Sequence, residues 1–154
     1  MPGTILARIA ALGLTLPPAP APAANYVPFV LDGTTLWVSG QISQDIGGLI
    51  RGRLGAELDV AAGAAAAQSC ALALIAQAQA AIGDLDRVVR VIKLTGFVNS
   101  TPDFTDQPEV INGASNLMVA VFGEAGRHAR SAVSAVALPR GVAVEIEAVF
   151  AVRP

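Results

Sequence analysis

Residues 143–150 read AVEIEAVF, in which apolar side chains recur at every second position. This alternation predicts a β-strand in which one face is apolar and carries Val144, Ile146, Ala148 and Phe150. Glu145 and Glu147 then point to the other face, about 7 Å apart. An apolar strand face has to be covered, so the rest of the chain must supply a sheet and the elements that pack on it.

Seven elements can be placed around this stretch from apolar periodicity and turn residues. They are strands at 27–31, 34–38, 87–98, 130–138 and 142–152 and helices at 59–82 and 107–122. Asp32-Gly33 is a hairpin signal between the first two strands. Residues 138–141, Leu-Pro-Arg-Gly, suit a type I turn and predict a second hairpin between the last two strands.

Both helices have recognisable ends. Asp59 can cap the first helix, and Gly83 can end it. Asp106 and Glu109 have the spacing of a capping box at the start of the second helix. The predicted order is therefore two strands, a helix, a strand, a helix and two strands, which indicates an α/β (α+β) fold with a mixed sheet and both helices on one face.

The N-terminal residues 1–24 are expected to form a short amphipathic helix at 4–13 and a proline-rich connector. Residues 25–154 are expected to form a single domain. Only 14% of the residues are charged, which is low for a small monomer. A sheet covered on one face leaves its other face bare, so both observations predict self-association.

Composition also excludes several classes of function. A net charge of −2 gives no electrostatic surface for nucleic acid. The long uncharged stretch at 60–82 contains glutamines and many alanines, which indicates a buried helix rather than a membrane span. A single cysteine, Cys70, forms no intramolecular disulfide, and with the single histidine, His128, it cannot make a zinc site unaided. A cytoplasmic protein is expected.

Charged residues of the last two strands are the first candidates for a site. A tight hairpin would set Glu145 roughly opposite Ser134, and alternation would place Arg130 on the same face as Glu145 and Glu147. Arg130 and Glu145 would then lie about 13 Å apart, a gap that a small ligand or a subunit interface could close. The alternative is that the two glutamates are ordinary solvated acids.

Several short motifs together resemble a known family. They are Val38-Ser39-Gly40-Gln41, residues 83–88 (GDLDRV), Lys93 with Phe97-Val98-Asn99, Asp103-Phe104, Ala129-Arg130-Ser131, and Leu138-Pro139 with Gly141 leading into 144–148 (VEIEA). Their order and spacing over residues 20–153 are similar to those of the YjgF-like or Rid (reactive intermediate deaminase) family, also called endoribonuclease L-PSP.

The resemblance implies a chorismate-mutase-like fold, in which three chains assemble into a homotrimer around a central barrel, with clefts between subunits. It also implies hydrolysis of 2-imino acids and their enamine tautomers, such as 2-aminoacrylate, to 2-oxo acids and ammonia. No metal or other cofactor is implied. The implied partners are further copies of the chain and a small carboxylate ligand.

Within this resemblance, Arg130 matches the arginine that clamps the substrate carboxylate, and Glu145 matches the residue that activates water. Ser39 and Tyr26 match two further catalytic positions. Asn112 matches a substrate-binding helix asparagine. A guanidinium can bind a carboxylate at two points, and one carboxylate can accept the proton of an attacking water.

His128 stands where the deaminases have proline, and it titrates near neutral pH, so we include it among the candidate substrate-binding residues. The alternative is an exposed loop histidine. Two other functions stay open at this point. One is a regulatory trimer that binds a small carboxylate without turnover, and the other, which is least favoured, is an endoribonuclease.

Overall fold

The computed structural model describes residues 3–154. Its helices are α1 (Thr4–Ala11), α2 (Val60–Ile82) and α3 (Gln107–Phe122). Its strands are β1 (Phe29–Asp32), β2 (Thr35–Ile42), β3 (Gln44–Asp45), β4 (Gly48–Leu49), β5 (Val88–Asn99), β6 (Ala129–Ala135) and β7 (Val144–Val152). The predicted order of strands and helices is thus confirmed, with a small β3–β4 hairpin added in the glycine-rich loop.

The main sheet has the strand order β1-β2-β7-β5-β6. All neighbours are antiparallel except β5 and β6, which run parallel and are joined through α3. The predicted hairpin between β1 and β2 forms, with Asp32 opposite Thr35 and Gly33 at a positive φ of 61°. The fold is therefore a mixed sheet, as the order of elements predicted.

One face of this sheet carries the core. Leu36, Leu94, Ile146 and Phe150 are fully buried there beneath α2 and α3. In β5 two register irregularities interrupt the alternation near the N-terminal end, so the buried positions are Val88, Val91, Leu94, Gly96, Val98 and Asn99. The opposite face, which we call the open face, has no covering element in the described part of the chain and exposes Trp37 and Val133.

Helix α2 is the buried helix that its composition predicted. The Asp59 carboxylate accepts a hydrogen bond from Ala62 N at 2.9 Å, and Gly83 ends the helix at a φ of 78°. By length and composition α2 could cross a membrane, but 56% of its most apolar window is buried inside the domain. This burial is that of a core helix, since α2 packs on β2 and β7 of the sheet and, along its side, on α3.

The N-terminal helix α1 packs against the rest of the chain. Its first two amide groups, Thr4 N and Ile5 N, each donate to the Asp86 carboxylate at 2.8 Å, so an acidic side chain from another element caps the helix. Arg8 donates to Val121 O, and Ile9 is buried in the core. The connector then returns toward the sheet, where Pro20 O accepts from Gln77 Nε2 at 2.7 Å.

The predicted hairpin between the last two strands is wrong. Strand β5 lies between β6 and β7, so Glu145 is opposite Phe97 and Phe97 is in turn opposite Val133. The turn at 138–141 is present, with Gly141 N donating to Leu138 O, but Arg140 has a φ of 60°, which a type I turn does not allow at its third position. Strand β6 ends at Ala135 rather than 138, because its partner β5 ends at Asn99.

The predicted capping box of α3 is also absent. Asp106 is the N-cap residue, but its side chain makes no capping bond. Its backbone, at φ −94° and ψ 33°, lacks the extended conformation that directs a capping side chain toward the first turn.

Candidate functional site

Three of the sequence-predicted residues, Tyr26, Ser39 and Glu145, line one open cavity of about 1010 Å³. The β2–β7 pair forms its floor, and Pro139 and Arg140 form part of its rim. The connector residues 20–24 form a further wall. Only the family resemblance singled out these three side chains as a set, since Glu145 is more than 100 residues away from the other two.

A bulge in β2 makes room for the Glu145 side chain. The register between β2 and β7 shifts between Val38 and Gln41, so Ser39 and Gly40 have no regular partner. A Cβ atom added to Gly40 would overlap the Glu145 carboxylate. Glycine at this position therefore allows the carboxylate to lie directly against the β2 backbone.

The same bulge directs Ser39. Its hydroxyl donates to Val27 O at 2.8 Å, so the lone pairs of Oγ remain available to a donor in the cavity. Gln41 supports the bulge from beneath, where its buried amide donates to Ser39 O at 2.9 Å. Ala23 N donates to the Tyr26 hydroxyl at 3.4 Å, and Tyr26 as a residue is close to half exposed.

Glu145 is a cavity carboxyl group with a shifted pKa. Burial raises its pKa above the ordinary value of a glutamate, and the negative charge of Glu147 raises it further. A carboxyl group with a raised pKa is better matched to accepting and returning a proton near neutral pH.

Arg130, Asn112 and His128 form a second group, which we call the Arg130 cluster. Arg130 lies on β6, where it is paired with Leu94 on the helix-covered face of the sheet. Its Nη1 donates to Asn112 Oδ1 at 2.8 Å and to Ser115 Oγ at 3.1 Å, and its Nη2 donates to Pro108 O at 3.2 Å. All three acceptors belong to α3, which therefore holds the guanidinium beside the edge strand.

Two N–H groups of Arg130 remain for a ligand. A guanidinium has five N–H donors, and α3 takes three of them. Within residues 3–154, Nε–H and one Nη2–H have no acceptor. Two such donors match the two oxygens of one carboxylate.

The expectation that Arg130 shares a sheet face with Glu145 and Glu147 is wrong. Arg130 is paired with Leu94 and, through it, with Ala148, whose side chain points to the core. Glu145 and Glu147 alternate with Ala148 and lie on the open face. The Cα atoms of Arg130 and Glu145 are two strands apart across the sheet and three residues apart along the strands, which gives a distance of about 14 Å. Arg130 and Glu145 therefore do not meet within one chain.

Ser115 is the residue of the cluster that sequence reasoning missed. Its hydroxyl lies between Arg130 and His128, 2.8 Å from His128 Nε2. The available signal was its spacing of three residues from Asn112, which places both on one helix face. That signal has meaning only once β6 is known to lie beside this face of α3.

The described residues hold one thiol and no cluster of potential metal ligands. No group of three or more potential metal ligands occurs within residues 3–154. Cys70 is fully buried on α2, with Sγ 3.5 Å from Val144 O, and burial raises the pKa of its thiol. Cys70 is thus part of the hydrophobic core.

Comparison with known proteins gives a match over nearly the whole chain. The sequence profile of the YjgF/chorismate mutase-like endoribonuclease family matches residues 6–150. Protein TCP17 of Trypanosoma cruzi is 55% identical over 148 residues, which cover 95% of this chain and 92% of that protein.

Solved structures agree with this match. The protein Atu1372 of Agrobacterium tumefaciens, described as having unknown function, superposes with a TM-score of 0.90 at 48% identity, over 97% of this chain and 92% of that one. E. coli TdcF with bound serine superposes with a TM-score of 0.63 at 29% identity, over 88% of this chain and 94% of that one. RidA of an Antarctic Psychrobacter superposes with a TM-score of 0.62 at 28% identity, over 87% of this chain and 94% of that one.

Proposed function

Because the chain belongs to the YjgF/chorismate mutase-like family, we propose that it hydrolyses reactive 2-imino acids and their enamine tautomers to 2-oxo acids and ammonia. The observation that carries this proposal is Glu145. A half-buried carboxyl with a raised pKa lies in a cavity beside a tyrosine and a serine. RidA and TdcF, the latter with bound serine, are structural neighbours, which supports an α-amino or α-imino acid as the class of substrate.

The chemistry needs one residue that carries a proton. Water attacks the imine carbon and forms a C–O bond as the C=N electron pair moves to nitrogen, and Glu145 takes a proton from the water and passes it to that nitrogen, which gives a carbinolamine. Glu145 then takes the proton of the carbinolamine hydroxyl and passes it to the amine nitrogen, while the C=O bond forms, the C–N bond breaks and ammonia leaves. Glu145 ends in its starting form, and imine and water have become oxo acid and ammonia. Ser39 Oγ and the Tyr26 hydroxyl can orient the water and the nitrogen.

The substrate carboxylate requires a cation, and the proposal assigns this to Arg130 of a second copy. Arg130 cannot reach the cavity of its own chain, yet it lies on the edge strand β6 and keeps two N–H groups that no acceptor of residues 3–154 takes. In a homotrimer, each cavity would receive Arg130 and Asn112 from the neighbouring subunit. The exposed Trp37, the half-exposed Val133 and the low charge content favour burial of the open face in such an assembly.

The other functions left open by the sequence fit less well. In an endoribonuclease, Glu145 and Glu147 would repel the phosphates of a bound RNA. The single histidine lies in the Arg130 cluster, so a pair of catalytic histidines is not available.

The proposed reaction uses no metal or cofactor. We propose that it takes place in the cytoplasm, in keeping with a chain that contains one buried thiol.

The test is the rate of ammonia release from freshly generated 2-iminopropionate, above the uncatalysed rate. We expect acceleration by the wild type and its loss in Glu145→Gln and Arg130→Ala. Glu57→Gln, a glutamate of the loop before α2, serves as the control and should keep the wild-type rate. No acceleration by the wild type, or equal rates for wild type and Arg130→Ala, would overturn the proposal. Thermal stabilisation by pyruvate without any turnover would instead favour the carboxylate-binding trimer.

A further inference from the structure

Three polar side chains form a row that leads away from the proposed carboxylate clamp. Arg130 Nη1 is 3.1 Å from Ser115 Oγ, and Ser115 Oγ is 2.8 Å from His128 Nε2. His128 Nδ1 is in turn 2.6 Å from Gly126 O. The row connects α3, the 3₁₀ turn at Gly123–Gly126 that follows it, and β6.

The direction of every hydrogen bond in this row follows from its last member. A backbone carbonyl can only accept, so His128 Nδ1 carries the proton and donates to Gly126 O. In the neutral ring Nε2 is then an acceptor, and the Ser115 hydroxyl donates to it. The hydroxyl hydrogen therefore points away from Arg130, and the Ser115 lone pairs face the guanidinium.

The end of the row is held in place by packing. A Cβ atom at Gly126 would overlap Met118 O of α3, so the turn that carries the Gly126 carbonyl lies directly on the helix. His128 is half-buried, and burial lowers the pKa of its ring below the usual value for histidine; the hydrogen bond to Gly126 acts in the opposite direction and the charge of Arg130 in the same one. The lowered pKa favours the neutral ring that the row requires.

We propose that Ser115 and His128 are positioning residues, which hold the Arg130 guanidinium in the one orientation that presents Nε–H and Nη2–H to a substrate carboxylate. Asn112 and Pro108 O alone leave one Nη1 hydrogen without a partner, so the side chain can rotate about its terminal torsions. Ser115 closes the third contact, and His128 prevents its hydroxyl hydrogen from turning toward the cation.

The part of this inference that concerns substrate rests on the proposed function. For that part, Ser115→Ala should raise KM for 2-iminopropionate about tenfold, the factor expected for one lost bond to a charged group, and change kcat by less than about twofold. Ser115→Thr retains the hydroxyl and should restore KM. Ser134→Ala removes a serine hydroxyl from the same strand as Arg130, where it is bonded to Ser100, and should leave KM unchanged.

A second measurement needs no activity. In the wild type, ¹⁵N NMR of the Arg130 guanidinium, identified by its absence in Arg130→Lys, should show slow rotation of the Nη groups. Ser115→Ala and His128→Ala should make this rotation at least about tenfold faster, and Ser134→Ala should not.

The two measurements separate the two proposals. Slow rotation that depends on Ser115 and His128, in a protein without deaminase activity, would support the positioning role and refute the function. Rotation that is equally fast in the wild type and in Ser115→Ala would overturn the positioning role, whatever the activity. A lowered kcat with an unchanged KM in Ser115→Ala would also overturn the positioning role.

Discussion

Gly40→Ala tests whether the position of the Glu145 carboxylate controls activity. The added methyl group would overlap Glu145 Oε2 and would come within 3.1 Å of the Glu145 carboxyl carbon. Ordinary contact between heavy atoms needs about 3.5 Å or more, so the carboxylate would have to move by about 1 Å. Nothing else is strained, since Gly40 does not have a positive φ.

These numbers predict a large effect on activity and a small one on stability. The atom that must move is the end of a flexible side chain, and alanine loses less conformational entropy than glycine, so the free energy of unfolding should change by less than about 1 kcal/mol. Displacement of a reacting group by 1 Å can cost about a hundredfold in rate. We therefore expect kcat to fall about a hundredfold in a protein that is folded as well as the wild type.

The assay is ammonia release from 2-iminopropionate, together with unfolding in urea. Gly47→Ala is the matched control, because it adds a methyl group in the neighbouring β3–β4 loop, where a Cβ meets only the Asp45 carboxylate at 3.2 Å. Wild-type activity in Gly40→Ala, or an equal loss in Gly47→Ala, would refute the reasoning.

Three further results are expected. Asp86→Asn weakens the cap of α1 by removing the negative charge of the Asp86 side chain, so the N-terminal segment should become more sensitive to proteolysis. Hydrogen bonds from Ile5 and Thr4 lower the pKa of Asp86, so acid should weaken the same contact below about pH 4. The pKa of His128 is lower in the folded protein than in the unfolded chain, so the unfolded chain binds the proton more readily and the free energy of unfolding should decline as the pH falls below about 6.5. Urea unfolding at several pH values should show a smaller decline in His128→Gln. Gly113→Ala places a Cβ against Ala64 O at the crossing of α2 and α3, so it should lower the free energy of unfolding by at least about 2 kcal/mol. Replacing glycine by alanine within a helix usually stabilises it, and such stabilisation here would contradict the packing described.

Local sequence signals predicted the elements well and their pairing less well. Asp59 and Gly83 delimit α2, because caps and glycines act on their own neighbours. The turn at 138–141 is equally local, but it reverses the chain without choosing a partner strand. Before β7 begins, Val142 and Ala143 are already engaged with residues 50–51 and with Asn99, so β7 continues beside β5 and not beside β6.

This one error in pairing accounts for the error in the site. Because β5 lies between β6 and β7, Arg130 lies on the sheet face covered by α3 and not on the face of Glu145, and it bonds to Asn112 and Ser115 of that helix. No local pattern could reveal that Ser115 bridges Arg130 and His128, because the contact depends on a parallel strand pair joined by a helix. Ser39, Tyr26 and Glu145, which only the family resemblance singled out, line one cavity, because a resemblance carries information on the whole fold.

Subunit complementation tests the central claim, that a complete site takes Glu145 from one chain and Arg130 from another. Arg130→Ala and Glu145→Gln are each expected to be inactive alone. Unfolded together in equal amounts and refolded, they should form mixed assemblies in which about a quarter of the clefts combine an intact Glu145 with an intact Arg130. About a quarter of wild-type deaminase activity is the predicted result, whereas a mixture as inactive as its two components would contradict the account.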